Sequence, residues 1–437
     1  MKILKFGGTS VGSVERIKSV AELITDNEPK IVVLSAMSGT TNSLVEIAEY
    51  LYRKENKKAV GLIKQLQIKY SSVVDKLYSS NEYKQKGIEL VENHFSHVLS
   101  FTQDLFTKHE EKAVLAQGEL INSALFHFYL LEKGIDAVLL PALNFMRIDT
   151  NQEPDNYYIR ENLQRELQTY PDKNLFITQG YICRNLYGEI DNLKRGGSDY
   201  SASLIGAAIK AEEIQIWTDI NGLHNNDPRF VDKTRPIKKL SFDEAAELAY
   251  FGAKILHPTS VLPAQLGNIP VRLKNTMQPD DEGTLITSEA EGNGIKAIAA
   301  KDGITVVKIK SDRMLLAYGF LRRVFEVFER FKTPIDMITT SEVAVSLSID
   351  STSFLSEIID ELKNFGTVEV SQDQTIICIV GDNIVEQQGH INQIFNLLKE
   401  YSIRMISYGG SKNNISILIN SSDKKDVLIS LNKLFNN

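Results

Sequence analysis

Residues Leu175–Ile209 read LFITQGYICRNLYGEIDNLKRGGSDYSASLIGAAI, and this stretch decides the fold. Leu175–Ile177 is short, apolar and β-rich and runs into Thr178-Gln179-Gly180, which predicts a buried strand leaving the core through a glycine turn. Tyr181–Asn192 mixes β-branched and aromatic residues with Asn185 and Gly188, the composition of a hairpin or of an excursion over a pocket mouth. Lys194-Arg195-Gly196-Gly197-Ser198-Asp199 then precedes Ser201–Ile209, a small, apolar run expected to be helical with Ser198 or Asp199 as its N-cap. Cations, glycines and a helix N-terminus together favour an anion. The same residues also serve ordinary capped loops, and the turn alone leaves both readings open.

Outward from this stretch, Ile3–Phe6 is a strand interrupted by Lys5, and it empties into Gly7-Gly8-Thr9-Ser10-Val11-Gly12 before a helix over Val14–Ile24. Strand, glycine loop, helix is a recurrent layout for holding phosphate, because glycines let the backbone approach an oxyanion closely. Neither the Walker A ending nor GxGxxG is present, so the general P-loop and dinucleotide readings lose ground. Lys5 inside a strand either snorkels to solvent or faces an anionic charge. Ile31–Leu34 predicts a second strand and also empties into a small-residue loop, Ser35–Asn42. Two such strands imply an α/β sheet with a ligand along its C-terminal edge.

Residues 44–106 are mostly helical in pattern and predict a lid or a flanking helical layer without nameable chemistry. A helix over Ala113–Leu131 carries Glu119 among small residues near its expected start, where the dipole favours a carboxylate; a solvated helix glutamate is the alternative. Strands follow at Ala137–Leu140, Glu213–Trp217 and Val271–Lys274. Thr218-Asp219-Ile220-Asn221-Gly222 and Asp227-Pro228-Arg229 form a polar, turn-rich segment after the second of these, at the expected ligand edge. Leu240–Tyr250 is helical and leads into Phe251-Gly252-Ala253-Lys254; His257 beside Pro258 reads as a turn or capping residue, and Trp217 as core.

The chain of 437 residues has ordinary globular composition, 43% hydrophobic and 24% charged, enough for two to four domains. A net charge of -7 argues against a surface built to coat nucleic acid or anionic lipid. Cys183 and Cys378 stand far apart, which disfavours a disulfide framework or a thiolate metal cluster and suits a reducing compartment. With no signal-peptide pattern and no apolar run of membrane-spanning length, the expected location is the cytoplasm. Polar segments at Gln278–Gly283 and Glu289–Gly294 predict the end of a first domain, followed by two shorter rounds of strand, helix and strand. These are Thr305–Ile309, Phe320–Arg330 and Val343–Ile349, then Thr375–Val380, Ile391–Glu400 and Asn414–Ile419. Paired α+β units of this kind bind a ligand between copies or mediate dimerisation.

Laid side by side, the segments KFGGTSV (Lys5–Val11), SAMSGTTN (Ser35–Asn42), QGE (Gln117–Glu119), RGGSD (Arg195–Asp199), WTDINGL with DPR (Trp217–Arg229), FGAKILHP (Phe251–Pro258) and ITTSEVAVSLSID (Ile338–Asp350) resemble aspartate kinase of the amino acid kinase family. The resemblance covers essentially the whole chain. It implies an amino acid kinase catalytic domain over 1–285, with a mostly parallel sheet between helical layers, then two ACT domains. Residues 286–302 would be a linker and the first strand of the second ACT unit, 303–372 the first ACT domain and 373–437 the second. The first would be inserted within the second, and the pair would form a dimer interface.

The implied reaction phosphorylates the side-chain carboxylate of L-aspartate with MgATP. Two anions must then be brought together, which costs Coulomb energy unless cations and oriented N–H donors compensate. By analogy Lys5 would neutralise the transferring phosphoryl group, while Gly7, Gly8, Thr9 and Ser10 cradle ATP phosphates. Arg195 would clamp an aspartate carboxylate, Glu119 would meet the ammonium, and Thr41 and Ser198 would add hydrogen bonds. Asp199 would orient Lys5 and the attacking carboxylate. Thr218, Asp219, His224, Arg229 and Lys254 would line the nucleotide pocket, with His224 where relatives often carry tyrosine. Met314, Gly319, Phe320, Leu321, Asp336, Thr340, Ser341 and Glu342 match the lysine-binding stretch of lysine-sensitive members, and Ala317 stands where those often have serine. Lysine feedback is thus expected, with threonine or no effector as the alternatives, together with a homodimer or dimer of dimers. The competing readings are a related kinase with another acceptor and a catalytically silent amino-acid sensor.

Overall fold

The computed structural model describes all residues except 104, 194, 195, 253–255, 290, 291, 293, 312–317 and 436–437. Two compact units emerge, Met1–Leu223 with Ile255–Ser288, and His224–Lys254 with Glu289–Asn437. No helix is long and apolar enough to cross a membrane among the described residues.

The first unit opens with β1 (Lys2–Phe6), α1 (Val14–Leu23) and β2 (Lys30–Leu34). A run of long helices follows: α2 (Thr40–Tyr52), α3 (Asn56–Leu77), α4 (Asn81–Ser100) and α5 (Lys108–Glu132). Next come β3 (Val138–Leu140), α6 (Ala142–Phe145), α7 (Asn156–Gln168), β4 (Leu175–Gln179), β5 (Ile182–Arg184), β6 (Ile190–Asn192), α8 (Gly197–Ile209) and β7 (Ile214–Thr218). After β8 (Lys239–Ser241) and α9 (Phe242–Tyr250), which belong to the second unit, α10 (Pro258–Leu266), β9 (Val271–Asn275) and β10 (Thr284–Thr287) complete the first.

In the first unit the sheet order is β3-β4-β2-β1-β7-β9-β10, parallel except for β10 against β9. β2 and β4 are buried at every residue, which is why their sequences are continuous apolar runs rather than alternating ones. Register aligns the strand ends: Phe6 pairs with Leu34 and with Trp217, and Leu34 pairs with Gln179. The loops after β1, β2, β4 and β7 therefore leave the sheet at one edge, as the sequence predicts. The expected helical layer is present in α2 to α4, whose buried faces carry Leu44, Ile63, Tyr70, Val74, Val91 and Phe95. The hairpin expected over Tyr181–Asn192 is β5 with β6.

Two sequence expectations are corrected here. Helix α5 begins at Lys108, not Ala113, because Thr107 and Glu110 form a reciprocal capping box. Glu119 consequently lies about three turns inside the helix, beyond the reach of the N-terminal dipole. Helix α8 is capped by Gly196 at φ +78°, so Ser198 and Asp199 sit in its first turn instead of at the N-cap.

The second unit contains β11 (Gly294–Lys310), α11 (Phe320–Arg330), β12 (Met337–Thr340), β13 (Ala344–Ile349), α12 (Leu355–Leu362), β14 (Thr367–Asp382), α13 (His390–Leu397), β15 (Met405–Tyr408), β16 (Asn414–Asn420) and α14 (Lys424–Leu431). Its antiparallel sheet has the order β12-β13-β11-β14-β16-β15. β11 and β14 are long because each serves two cores. Ile304–Lys310 pairs with Thr367–Gln374 over one core containing Val307, Phe320, Val324, Phe328, Leu347 and Ile358. Gly294–Lys301 pairs with Ile376–Asp382 over another containing Ile298, Ile377, Ile394, Ile417 and Val427. One α+β unit is thus inserted in the chain of the other. The segment 224–254 is anchored to this second core by Val231, by Asn226 Nδ2 donating to Leu428 O (3.0 Å) and by Lys296 Nζ paired with the fully buried Glu244 (2.8 Å).

Phe328 is 1% exposed in the smaller of these cores. Phe328→Ala should cost about 3–5 kcal/mol of unfolding free energy in denaturant titrations. A loss below about 1 kcal/mol would contradict the packing described.

Candidate active site

The edge where the strands end opens into a cleft of about 470 Å³, within the range of roughly 300–1,000 Å³ common for small-molecule sites. Four segments wall it. The glycine loop after β1 contributes Gly7, Gly8 and Thr9; the loop after β2 contributes Ser35–Gly39, Thr41 and Asn42. From the turn after β4 and the start of α8 come Tyr181, Gly197, Ser198 and Asp199, with Trp217 and Thr218 ending β7.

Lys5, within β1, is 9% exposed and does not snorkel: its ammonium lies 2.7 Å from Asp199 Oδ1 in the first turn of α8. That pairing answers the question the sequence leaves open about a lysine inside a strand. Close backbone packing makes it possible. A Cβ on Gly180 would lie 2.5 Å from Ser198 Cβ, and a Cβ on Gly197 2.3 Å from Tyr181 Cδ2, so glycine alone lets the end of β4 touch the start of α8. Tyr181 itself holds φ +68°, and its N–H donates to Ser201 Oγ at 2.9 Å. Its ring lines the cleft, a role the sequence analysis missed. A left-handed aromatic residue at a ligand edge is the strained geometry associated with functional sites.

Glu119 reaches the cleft from α5, 4% exposed, with Oε2 unpartnered among the described residues. Burial pushes its carboxyl up to about 7, against smaller downward pulls from the Ala36 and Glu119 N–H groups. An orphan buried carboxyl aimed into a polar cleft is a receptor for a cation. Thr41 and Ser198 face the same space.

Other expected site residues lie elsewhere. Ser10 is fully buried and bonds Thr276 Oγ1 (2.7 Å) and Trp217 O (3.3 Å), so it ties the glycine loop down instead of facing the cleft. Asp219 is exposed and accepts from Thr218 Oγ1 at 3.1 Å, outside the cleft lining. His224 and Arg229 belong to the second unit, where His224 Nδ1 lies 2.8 Å from Thr234 Oγ1 and Arg229 is bound to Asp227 at 2.6 Å. Arg195, Lys254 and Met314 lie outside the described residues.

Of the expected effector residues, Gly319 caps α11 at φ +79°, and Leu321, Thr340, Ser341 and Glu342 are exposed. Phe320 is 3% exposed and belongs to the core, so its side chain packs rather than faces a ligand. Asp336 is engaged: Oδ1 accepts from Lys301 Nζ (2.6 Å) and Tyr250 Oη (2.8 Å), and Lys301 also reaches Asp350 (3.0 Å).

The sequence pattern of the amino acid kinase family matches residues 1–275, and that of an ACT domain matches 377–435. The lysine-sensitive aspartokinase 3 of Escherichia coli is 33% identical over 98% of this chain and 97% of its own length. A crystal structure of E. coli aspartokinase III in complex with aspartate and ADP, its R-state, superposes with a TM-score of 0.84 at 32% identity, covering 100% of both chains. The same enzyme in complex with lysine and aspartate, its T-state, gives 0.83 at 32% identity, covering 100% of this chain and 99% of that one. The chain therefore belongs to the amino acid kinase family and, within it, to the aspartokinases.

The raised Glu119 carboxyl makes the ligand-free protein pH-sensitive. Between the ordinary carboxylate range and pH 7 the native state holds a proton that the unfolded state has released, so this contribution to stability is present at low pH and lost as pH rises through about 7. Relative to Glu119→Gln, the wild type should lose up to about 3 kcal/mol of unfolding free energy between pH 4 and 8. A difference that stays constant over that range would show the carboxyl to be unperturbed.

Proposed function

We propose that the chain transfers the γ-phosphoryl group of ATP to the side-chain carboxylate of L-aspartate, giving 4-phospho-L-aspartate and ADP. The observation that carries this reading is the meeting in one cleft of a Lys5–Asp199 pair and a buried Glu119 whose Oε2 has no partner among the described residues. Glycine loops and the open N-terminus of α8 surround them with backbone donors. The matched R-state structure, a complex with aspartate and ADP, supports the same assignment.

In this reading Glu119 receives the substrate ammonium and loses its proton as it does so. Thr41 and Ser198 orient the amino acid, and Arg195 takes a carboxylate bidentately. The acceptor carboxylate is already ionised, so the reaction needs no general base. Lys5, held by Asp199, offsets the charge building on the phosphoryl oxygens, while Gly7, Gly8 and Thr9 bring N–H groups to the ATP phosphates. Ser10 serves by holding that loop. Magnesium would accompany ATP as its counter-ion and would offset part of the phosphate charge that Lys5 also faces. Thr218, at the end of β7, meets the nucleotide, and Asp219, His224, Arg229 and Lys254 complete its pocket.

We extend the proposal to regulation and assembly. L-Lysine is the effector, acting at the ACT region around Gly319 and Asp336, as the lysine complex of the matched T-state structure supports. The catalytic domain spans 1–285, with ACT domains at 303–372 and 373–437 and the first strand of the second in 286–302. The enzyme works in the cytoplasm as a homodimer or a dimer of dimers. Half-exposed Ile338, Ile406 and Tyr408 on the edge strands β12 and β15 suit burial against a second copy.

ADP release should require L-aspartate and fall when L-lysine is added. Lys5→Ala and Asp199→Ala should each lower kcat by about 10²–10³ with much smaller changes in the aspartate KM. Near-normal turnover in either variant would remove that residue from the mechanism.

A further inference from the structure

The loop between β2 and α2 forms one wall of the cleft, yet its turn depends on Gly39 at φ +80°, a residue with no side chain to fix it. Its support comes from a helix in which the sequence shows no chemistry. Lys69 and Tyr70 are consecutive residues of α3, and both grip this turn. Lys69 Nζ donates to Ser38 O at 2.9 Å. The Tyr70 hydroxyl, in a side chain that is 0% exposed, lies 3.0 Å from Thr40 Oγ1, and the Met37 N–H is directed at the same oxygen. Met37, Ser38 and Thr40 are thus held by one step of helix, and Thr41 follows directly into the cleft.

Lys69 has no ion-pair partner among the described residues. The residue is exposed overall, and partial desolvation of its ammonium lowers its pKa. It also lines a second cavity, of about 280 Å³, shared by Gly12 and Ser13 of the glycine loop and Met37 of the β2 loop. An exposed ammonium that gives up water to one backbone carbonyl acts on the position of that turn, beside which Gly12 and Ser13 of the glycine loop also lie. We propose that Lys69 and Tyr70 are positioning residues that fix the acceptor loop and, through Thr41 and Asn42, set the affinity for the amino-acid acceptor. The proposal rests on the assignment of this loop to the acceptor side.

Lys69→Met, Lys69→Arg and Tyr70→Phe are compared with the full-length wild type by steady-state kinetics and by amide hydrogen exchange. Lys69→Met should raise the aspartate KM about tenfold or more while kcat and the ATP KM stay within threefold, and Lys69→Arg should restore most of the loss. Tyr70→Phe keeps the packing and should raise the aspartate KM by a smaller factor. Exchange in residues 35–43 should quicken in Lys69→Met, with residues 2–6 unchanged. An unaltered aspartate KM together with unaltered exchange would overturn the proposal. So would parallel rises in both KM values that Lys69→Arg fails to rescue. If the wild type releases no ADP with aspartate, the kinase assignment fails, and the exchange comparison alone then decides whether Lys69 holds the loop.

Discussion

The Lys5–Asp199 ion pair is the constraint on which the first unit depends. A lysine in the middle of a parallel sheet is tolerable only with an anionic partner, and at 2.7 Å the partner is the first-turn carboxylate of α8. To deliver it, α8 must begin directly against the end of β4. That requires Gly180 and Gly197, which allow the two backbones to touch, and a left-handed glycine at the N-cap, where a Cβ would crowd His257 and Ser260. The cation and the oriented N–H groups are therefore consequences of a single packing solution. Removing either partner would leave the other as an uncompensated buried charge.

Around this pair the cleft sorts charge by burial. Lys5 and Asp199 neutralise one another, while Glu119 in the same cleft has one carboxyl oxygen, Oε2, without a partner among the described residues and is pushed towards neutrality by burial. A zwitterionic ligand resolves that tension by bringing its own cation to the one carboxyl that lacks one. In the second unit Asp336 is only half engaged: Oδ1 accepts from Lys301 and Tyr250, while Oδ2 is buried without a hydrogen-bond partner among the described residues.

Much of this is legible in the sequence because it is written in local patterns. Buried strands ending in Gly/Ser/Thr loops announce the sheet and the edge at which its loops leave, and Lys5 and Gly7 line the cleft at that edge. What escapes is long-range or a matter of register. The start of α5 is misplaced by apolar periodicity although Thr107-x-x-Glu110 carries a capping box, and that error turns a buried Glu119 into a dipole-stabilised one. Tyr181 looks like hairpin composition, since its contact with Gly197 joins segments that no periodicity connects. Ser10 looks like a phosphate ligand because nothing local reveals that Thr276 takes its hydroxyl. The shared strands β11 and β14 read as separate short strands because each half serves a different core.

The most direct test of the account is chemical trapping of the product. Purified protein with MgATP and hydroxylamine is offered L-aspartate or L-glutamate, and hydroxamate is measured. The account predicts aspartate hydroxamate from the wild type, little from glutamate, and none above background once Lys5 is alanine. Absence of hydroxamate from folded wild-type protein, or equal yields from the two amino acids, would contradict it.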